Sequence, residues 1–174
     1  MSFIQVSGRS RSIVRMRRAW ASFQLAIIFG ASAATGACTP GAAANPSGSS
    51  ARIPSAVIVH VSLLTYPPVS SAYGTLSGFS PNPLTVPHGA VVQFVNDDNF
   101  AHTASSVGMA GFMNGPLSAS TQNQSGGDLA NANWSSGVLQ GAGYSQGLNA
   151  STAGTYYYQC FYHYAQMHGV IVVQ

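Results

Sequence analysis

The sequence predicts an all-β protein, a Greek-key β-sandwich or small barrel with about seven or eight strands. Two observations lead to this fold class. Short runs rich in Val, Thr and Tyr, several of them alternating between apolar and polar residues, are separated by Gly, Pro, Asn and Ser. No segment has the repeating apolar spacing of an amphipathic helix. Short strands between turn residues are typical of sandwiches and small barrels, and we expect antiparallel pairing.

The predicted strands run from residue 55 to the C-terminus. The first is SAVIVHVSLL, in which Val57, Val59 and Val61 share one face. PLTVPHGAVVQFVN contains two strands joined by a Pro-His-Gly turn, and AHTASS contains a short strand. Three more strands lie in GYSQGLNAS, GTYYYQC and HGVIVVQ. Residues 107–133 are rich in Gly, Ser, Asn and Gln, which predicts a long irregular excursion with one helical turn.

Residues 1–37 are predicted to be an export signal. Five of the six cationic residues precede the apolar run AWASFQLAIIFGASAATGAC, and they are Arg9, Arg11, Arg15, Arg17 and Arg18. A basic stretch, an apolar stretch and then small residues is the order found in secretory signals. Gly30 and several Ser and Thr interrupt the run, which disfavours the alternative of a transmembrane anchor. Met16 begins a complete short signal by itself, so we interpret residues 1–15 as an extension before the true start.

The predicted signal ends at ATGAC, where small residues precede Cys38. This pattern resembles a bacterial lipoprotein signal, although Thr35 stands where a Leu is usual. We therefore expect an exported protein of the periplasm or cell envelope that is tethered to a membrane through lipid on Cys38. Ordinary signal cleavage nearby is the alternative. Residues 38–53 are rich in Pro, Gly, Ala and Ser and predict a flexible tether, and residues 54–174 predict one domain.

The charge of the mature chain excludes one class of partner. After residue 37 the only cation is Arg52, and the anions are Asp97, Asp98 and Asp128, so one positive charge against three negative charges leaves a net charge of −2. Nucleic acids are bound by clusters of Lys and Arg, which this chain lacks, so no nucleic-acid partner is expected. We find no carboxylate pair, Ser-His-Asp set or phosphate-binding loop, and we predict that the protein is not an enzyme.

The segment CFYHYAQMHG places three candidate metal ligands, Cys160, His163 and Met167, within eight residues. A soft thiolate, an imidazole and a thioether together favour copper over zinc. Cys160 follows the predicted strand GTYYYQC, whose alternation places it on the same core-facing side as Tyr156 and Tyr158. The thiol is therefore expected where the core meets a loop, partly shielded from water.

A fourth ligand has to come from another part of the chain. The other histidines are His60, His88, His102 and His168. His60 lies off the Val face of its strand and His88 lies in a tight turn, so both are expected to be exposed. His102 follows a strand and a polar corner that could approach the end of a later strand.

Two segments together resemble the cupredoxins of the plastocyanin, pseudoazurin and amicyanin group. They are FSPNPLTVPHGAVVQFVNDDNFAHTASS and AGTYYYQCFYHYAQMHGVIVV, and the resemblance extends over residues 56–174. It implies a cupredoxin-type fold and one type 1 copper ion bound by four ligands: His102, Cys160, His163 and Met167. It also implies a carrier of single electrons that cycles between Cu(I) and Cu(II). A copper-delivery protein and a metal-free β-sandwich for surface interactions remain the alternatives.

The resemblance implies further details of the site. Redox protein partners are expected to dock on an apolar patch around His163, formed by the flanking residues Phe161, Tyr162, Tyr164 and Ala165, and the protein is expected to be a monomer. Three residues separate His163 from Met167, whereas relatives have two or four, so Gln166 is an alternative axial ligand. Thr103 either hydrogen-bonds near the cysteine loop or is an ordinary strand residue. His168 is expected to add a pH dependence near its usual titration range.

Overall fold

The structure, a computed structural model, describes residues 50–112 and 114–174. The predicted signal, the predicted acylation site Cys38 and most of the predicted tether lie outside the described residues. The described residues form twelve strands: β1 (Val57–Val61), β2 (Val69–Ser71), β3 (Gly74–Leu76), β4 (Phe79–Ser80), β5 (Leu84–Val86), β6 (Val91–Asn96), β7 (Ser105–Val107), β8 (Gln124–Ser125), β9 (Ser135–Ser136), β10 (Leu148–Asn149), β11 (Gly154–Gln159) and β12 (His168–Val173). Within the described ranges, no helix has the length and apolar character that crossing a membrane requires.

The strands form two main sheets and a separate hairpin, so the predicted all-β sandwich is confirmed. One sheet has the order β10-β6-β1-β4, the other has the order β5-β12-β11-β7-β9-β8, and β2 pairs with β3. Most paired strands are antiparallel, as expected, but β1 pairs with β6 and β5 pairs with β12 in parallel. The reason lies in the Pro-His-Gly turn, which passes the chain from one sheet to the other. The backbone N–H of His88 donates to the carbonyl of Gln174, and the backbone N–H of Gly89 donates to the carbonyl of Ala150.

The space between the two main sheets is filled by apolar side chains. Val59 and Val61 of β1 are buried, as their alternation predicted. On β11 and just after it, Tyr158 and Cys160 are also buried and face the interior. An aromatic group occupies the centre, where the ring of Tyr158 lies 4.7 Å from that of Phe79 and 5.2 Å from that of Phe94. This packing fixes the end of β11 at which Cys160 lies.

The other face of β11 is also covered, and no sequence pattern predicted this second layer. The ring of Tyr157 lies 4.9 Å from that of Phe112, which belongs to the irregular excursion, and 6.3 Å from that of Tyr73 beside the β2–β3 hairpin. Gln159 donates to the carbonyl of Gly115 at 2.9 Å. The excursion therefore packs on the sheet that carries the candidate ligands.

The excursion itself is irregular, as predicted, but it contains two short 3-10 turns rather than one helical turn. They span Met109–Gly111 and Ala119–Gln122, and β8 then pairs with β9. The strands that the sequence patterns missed, among them β2, β3, β4 and β8, have only two or three residues. A period of two residues cannot be recognised over so short a length.

Candidate metal centre

Strand pairing brings three of the predicted ligands to one end of the sandwich. β7 and β11 are antiparallel with Ser105 opposite Gln159, so His102, just before β7, meets Cys160, just after β11. The loop from Cys160 to Met167 then joins β11 to β12, and it carries His163. The Sγ of Cys160 lies 3.7 Å from the Nδ1 of His102 and 3.6 Å from the Nδ1 of His163. All three ligand atoms lie within 4.8 Å of one another.

A buried carboxylate orients His102. The Nε2 of His102 lies 2.8 Å from Oδ2 of Asp98, which leaves Nδ1 facing the thiol. Asp98 is only 7% exposed and also accepts hydrogen bonds from the hydroxyl of Ser62 at 2.6 Å and the backbone N–H of Leu63 at 2.8 Å. An Nε2–H bonded to a carboxylate fixes the imidazole tautomer whose Nδ1 lone pair is free for a metal.

The protonation of the Asp98 and His102 pair follows from its surroundings. Burial alone would raise the pKa of Asp98, but hydrogen bonds from Ser62, His102 and Leu63 outweigh it and lower the pKa. Burial lowers the pKa of His102, although Asp98 opposes this shift. The pair is therefore a neutral imidazole beside an ionised carboxylate at neutral pH. Sequence reasoning missed Asp98, and the only available signal was its position four residues before His102 on the corner NDDNF.

Thr103 holds the cysteine loop through both its backbone and its side chain. Its N–H points at the Sγ of Cys160 at 3.4 Å, and its hydroxyl accepts the N–H of Phe161 at 2.8 Å. The expected hydrogen-bonding role of Thr103 near the cysteine loop is therefore confirmed, and Thr103 is not an ordinary strand residue. Burial raises the pKa of the Cys160 thiol, with the hydrogen bonds of Thr103 acting in the opposite direction. A metal that binds this sulfur must therefore displace a proton.

Met167 and Gln166 differ in burial. The side chain of Met167 is fully buried, whereas Gln166 is exposed. The backbone of Met167 donates to the carbonyl of His163 at 2.9 Å and accepts from the N–H of Cys160 at 3.2 Å. Because the N–H of Gln166 also donates to the carbonyl of His163, the backbone does not distinguish the two residues, and burial of the side chain makes Met167 the candidate fourth donor.

His163 lies at the outer side of this cluster and is partly exposed. Its ring centroid lies 4.9 Å from that of His102 and 5.7 Å from that of Phe100, which contacts both imidazoles. Burial, followed by the repulsion from His102, lowers the pKa of His163. Both imidazoles are therefore neutral at pH 7 and present lone pairs.

The other histidines lie outside the cluster. His60 is exposed and pairs with Asp97 at 2.9 Å, and His88 contacts the carbonyl of Ser151 at 2.8 Å, so both were placed correctly. His168 is buried against Phe112, and burial lowers its pKa. Any titration of His168 is therefore expected below the usual range of histidine, and the pH dependence stays a prediction.

The chemistry of the donor set fits copper. Two imidazole nitrogens and a thiolate, with a thioether beside them, provide both the nitrogen ligands that Cu(II) accepts and the soft sulfur that Cu(I) prefers. Zinc sites use Cys, His or carboxylate ligands and would make no use of Met167.

The comparison with protein-family models gives the same metal. A family model described as copper binding proteins of the plastocyanin/azurin family matches residues 69–174, more than half of the chain. No curated protein matches the sequence. Among solved structures, an oxidized amicyanin variant shares 20% identity with a TM-score of 0.47, covering 73% of this chain and 90% of that chain. A purple cupredoxin from Nitrosopumilus maritimus shares 20% identity with a TM-score of 0.45, covering 68% of this chain and 99% of that chain.

Proposed function

The chain belongs to the plastocyanin/azurin family of copper-binding proteins, and we propose that it carries single electrons. In this proposal one type 1 copper ion is bound by His102, Cys160, His163 and Met167. Copper held by a thiolate, two imidazoles and a weak thioether can change between Cu(I) and Cu(II) with little rearrangement. The observation that carries the proposal is the convergence of the Cys160 Sγ and two Nδ1 atoms within 4.8 Å of one another.

The surroundings of the donors support rapid electron transfer, because each donor is held in place by the protein. Asp98 fixes the ring of His102, and Thr103 fixes the sulfur of Cys160. The backbone of Met167 is bonded to both His163 and Cys160. Ligands that are held in this way have little freedom to move when the charge at the site changes.

We propose a carrier and not an enzyme, because four protein donors leave no open position for a substrate. A reversible one-electron redox titration of the copper-loaded protein tests this proposal against copper delivery. A carrier retains one copper per chain through repeated cycles of oxidation and reduction. A delivery protein loses the metal to a chelator in one of the two oxidation states, and that result would contradict the carrier.

The surface around His163 is the proposed docking site for redox partners. Tyr162 is 39% exposed, Ala165 is exposed, and Phe161 and Tyr164 are half-buried. We name these four residues and His163 the His163 patch. No charged side chain belongs to it. A partner is therefore expected to meet the monomer in a small, transient and mainly apolar contact.

Electron exchange through the His163 patch is expected to depend only weakly on salt. Between about 0.02 and 0.5 M salt, the rate of exchange between reduced and oxidised copies should change less than about twofold, because few charges are available to be screened. NMR line broadening measures this rate. The matched control is Ala165→Lys, which places like charges on both copies, so its exchange should be slow at low salt and accelerate as salt is added. A steep salt dependence of the unmodified protein would contradict an apolar patch.

We also propose that the protein is exported and anchored at a membrane face by lipid on Cys38, followed by the tether. The order of basic, apolar and small residues before Cys38 supports this location. Cys38→Ser should release the protein into the soluble periplasmic fraction, as measured by cell fractionation and the mass of the N-terminal peptide. A soluble protein with an unmodified N-terminal peptide before any substitution would contradict the anchor and leave the copper site unaffected.

A further inference from the structure

Gly78, between β3 and β4, packs directly against the side chain of Met167. A Cβ atom on Gly78 would lie 2.5 Å from Cγ and 2.7 Å from Cε of Met167. Non-bonded carbon atoms approach no closer than about 3.5 Å without repulsion. Gly78 also has a φ of +76°, which side chains rarely adopt. Its lack of a side chain is therefore what leaves room for the thioether.

The backbone at Gly78 is held on both sides and cannot withdraw from Met167. Its N–H donates to the carbonyl of Tyr66 at 2.9 Å, and its own carbonyl accepts the N–H of Ser62 at 3.0 Å. The preceding residue, Ser77, exchanges two backbone hydrogen bonds with His168, both 3.1 Å long. The hydroxyl of Ser77 also donates to the carbonyl of Gln166. Ser77 is thus tied to the residues on either side of Met167.

The backbone of Met167 is equally constrained. Its bonds to the backbones of His163 and Cys160 fix its Cα, so only rotation of the side chain can relieve a contact from Gly78. That side chain is fully buried, which leaves few alternative rotamers.

We propose that Gly78 is a positioning residue that fixes where the thioether of Met167 lies, and through it the balance between Cu(I) and Cu(II) binding. This inference rests on the proposed function for its effect on copper. A weak axial donor stabilises Cu(II) relative to Cu(I), so a displaced thioether raises the reduction potential. The packing between Gly78 and Met167 is a property of the metal-free protein as well.

The test compares Gly78→Ala with Gly89→Ala. Gly89 has a similar φ of +84°, but a Cβ there would meet nothing within 4 Å, so the two variants share the backbone strain and differ in the contact. In the metal-free protein, the NMR signal of the Met167 methyl group should shift in Gly78→Ala and remain in place in Gly89→Ala. In the copper-loaded protein, Gly78→Ala should change the ratio of Cu(I) to Cu(II) affinity about tenfold, which corresponds to about 59 mV. Met167→Leu removes the axial donor and should raise the potential, and the shift in Gly78→Ala should have the same sign.

A double variant separates the contact from other effects. With Met167→Ala the clash is removed, so adding Gly78→Ala should change neither the spectrum nor the potential beyond what Gly89→Ala does. If Gly78→Ala alone fails to fold, the double variant still tests the proposal. It should fold, because Met167→Ala removes the side chain with which the new Cβ clashes. Equal behaviour of Gly78→Ala and Gly89→Ala, in methyl shift and in potential, would overturn the inference. Failure of the unmodified protein to bind copper would instead overturn the proposed function and leave the methyl shift as the test of packing.

Discussion

Cys160→Ala is expected to abolish the visible colour of the copper-loaded protein. The colour of a type 1 site comes from charge transfer between the thiolate and Cu(II), and Cys160 is the only cysteine among the described residues. Loss of a group that hydrogen-bonds to a metal ligand typically lowers metal affinity about 10- to 100-fold. Loss of the ligand Cys160 itself should lower copper affinity by more than that. Copper titration followed by visible absorption and by a competing chelator measures both effects.

The fold should survive this change, which makes the result interpretable. Cys160 is buried, and removing its sulfur costs about 1 kcal/mol, the value of one small apolar group. The matched control is His88→Ala, because His88 is an exposed histidine outside the cluster. It should keep full colour and affinity. Retention of the visible band in Cys160→Ala would show that another group supplies the sulfur ligand.

Asp98→Asn is expected to produce the second largest effect, although Asp98 touches no metal. The substitution keeps the size of the side chain but removes the buried negative charge and one acceptor from a group that receives three hydrogen bonds. His102 then loses the partner that fixes its ring and raises its basicity, so Cu(II) affinity should fall about 10- to 100-fold. Loss of a nearby negative charge disfavours Cu(II) more than Cu(I), and the potential should rise by about 59 mV for each tenfold change in the ratio of Cu(I) to Cu(II) affinity.

The neighbouring carboxylate provides the control for Asp98. Asp97 carries the same charge one residue away, but it is exposed and bonds to His60 and Tyr66 at the surface. Asp97→Asn should change the potential little, because solvent screens the charge. If redox titration shows equal shifts in both variants, the effect is one of overall charge, and the orientation of His102 by Asp98 is contradicted.

Much of the fold was predictable because local patterns in the chain agree with the tertiary structure. The alternation of Val57, Val59 and Val61 gave the buried face of β1, and the run ending in Cys160 gave the inward direction of the thiol. The polar corner before His102 indicated only that it could approach a later strand, and the family resemblance named Cys160 as its neighbour across a separation of 58 residues. Parallel pairing was missed because a turn that changes sheets has the same residues as one that closes a hairpin.

The parts that escaped prediction depend on contacts between distant segments. Gly78 has the appearance of an ordinary turn glycine, and only the packed structure shows that Met167 lies against it. Asp98 and Asp97 are identical in sequence terms, yet one is buried against His102 and the other is exposed. Their different roles follow from the path of the loop between β6 and β7, which the hydrogen bonds of Asn96 to Phe100 and Leu139 hold in place.

The most direct test of a type 1 copper carrier is titration of the purified, metal-free protein with Cu(II), followed by visible and spin-resonance spectra. The account predicts saturation at one copper per chain, with an intense blue or green thiolate-to-copper band that bleaches on reduction and returns on oxidation. A protein that stays colourless while it holds Cu(I) tightly would contradict the carrier, and one that binds no copper at all would contradict the metal site itself.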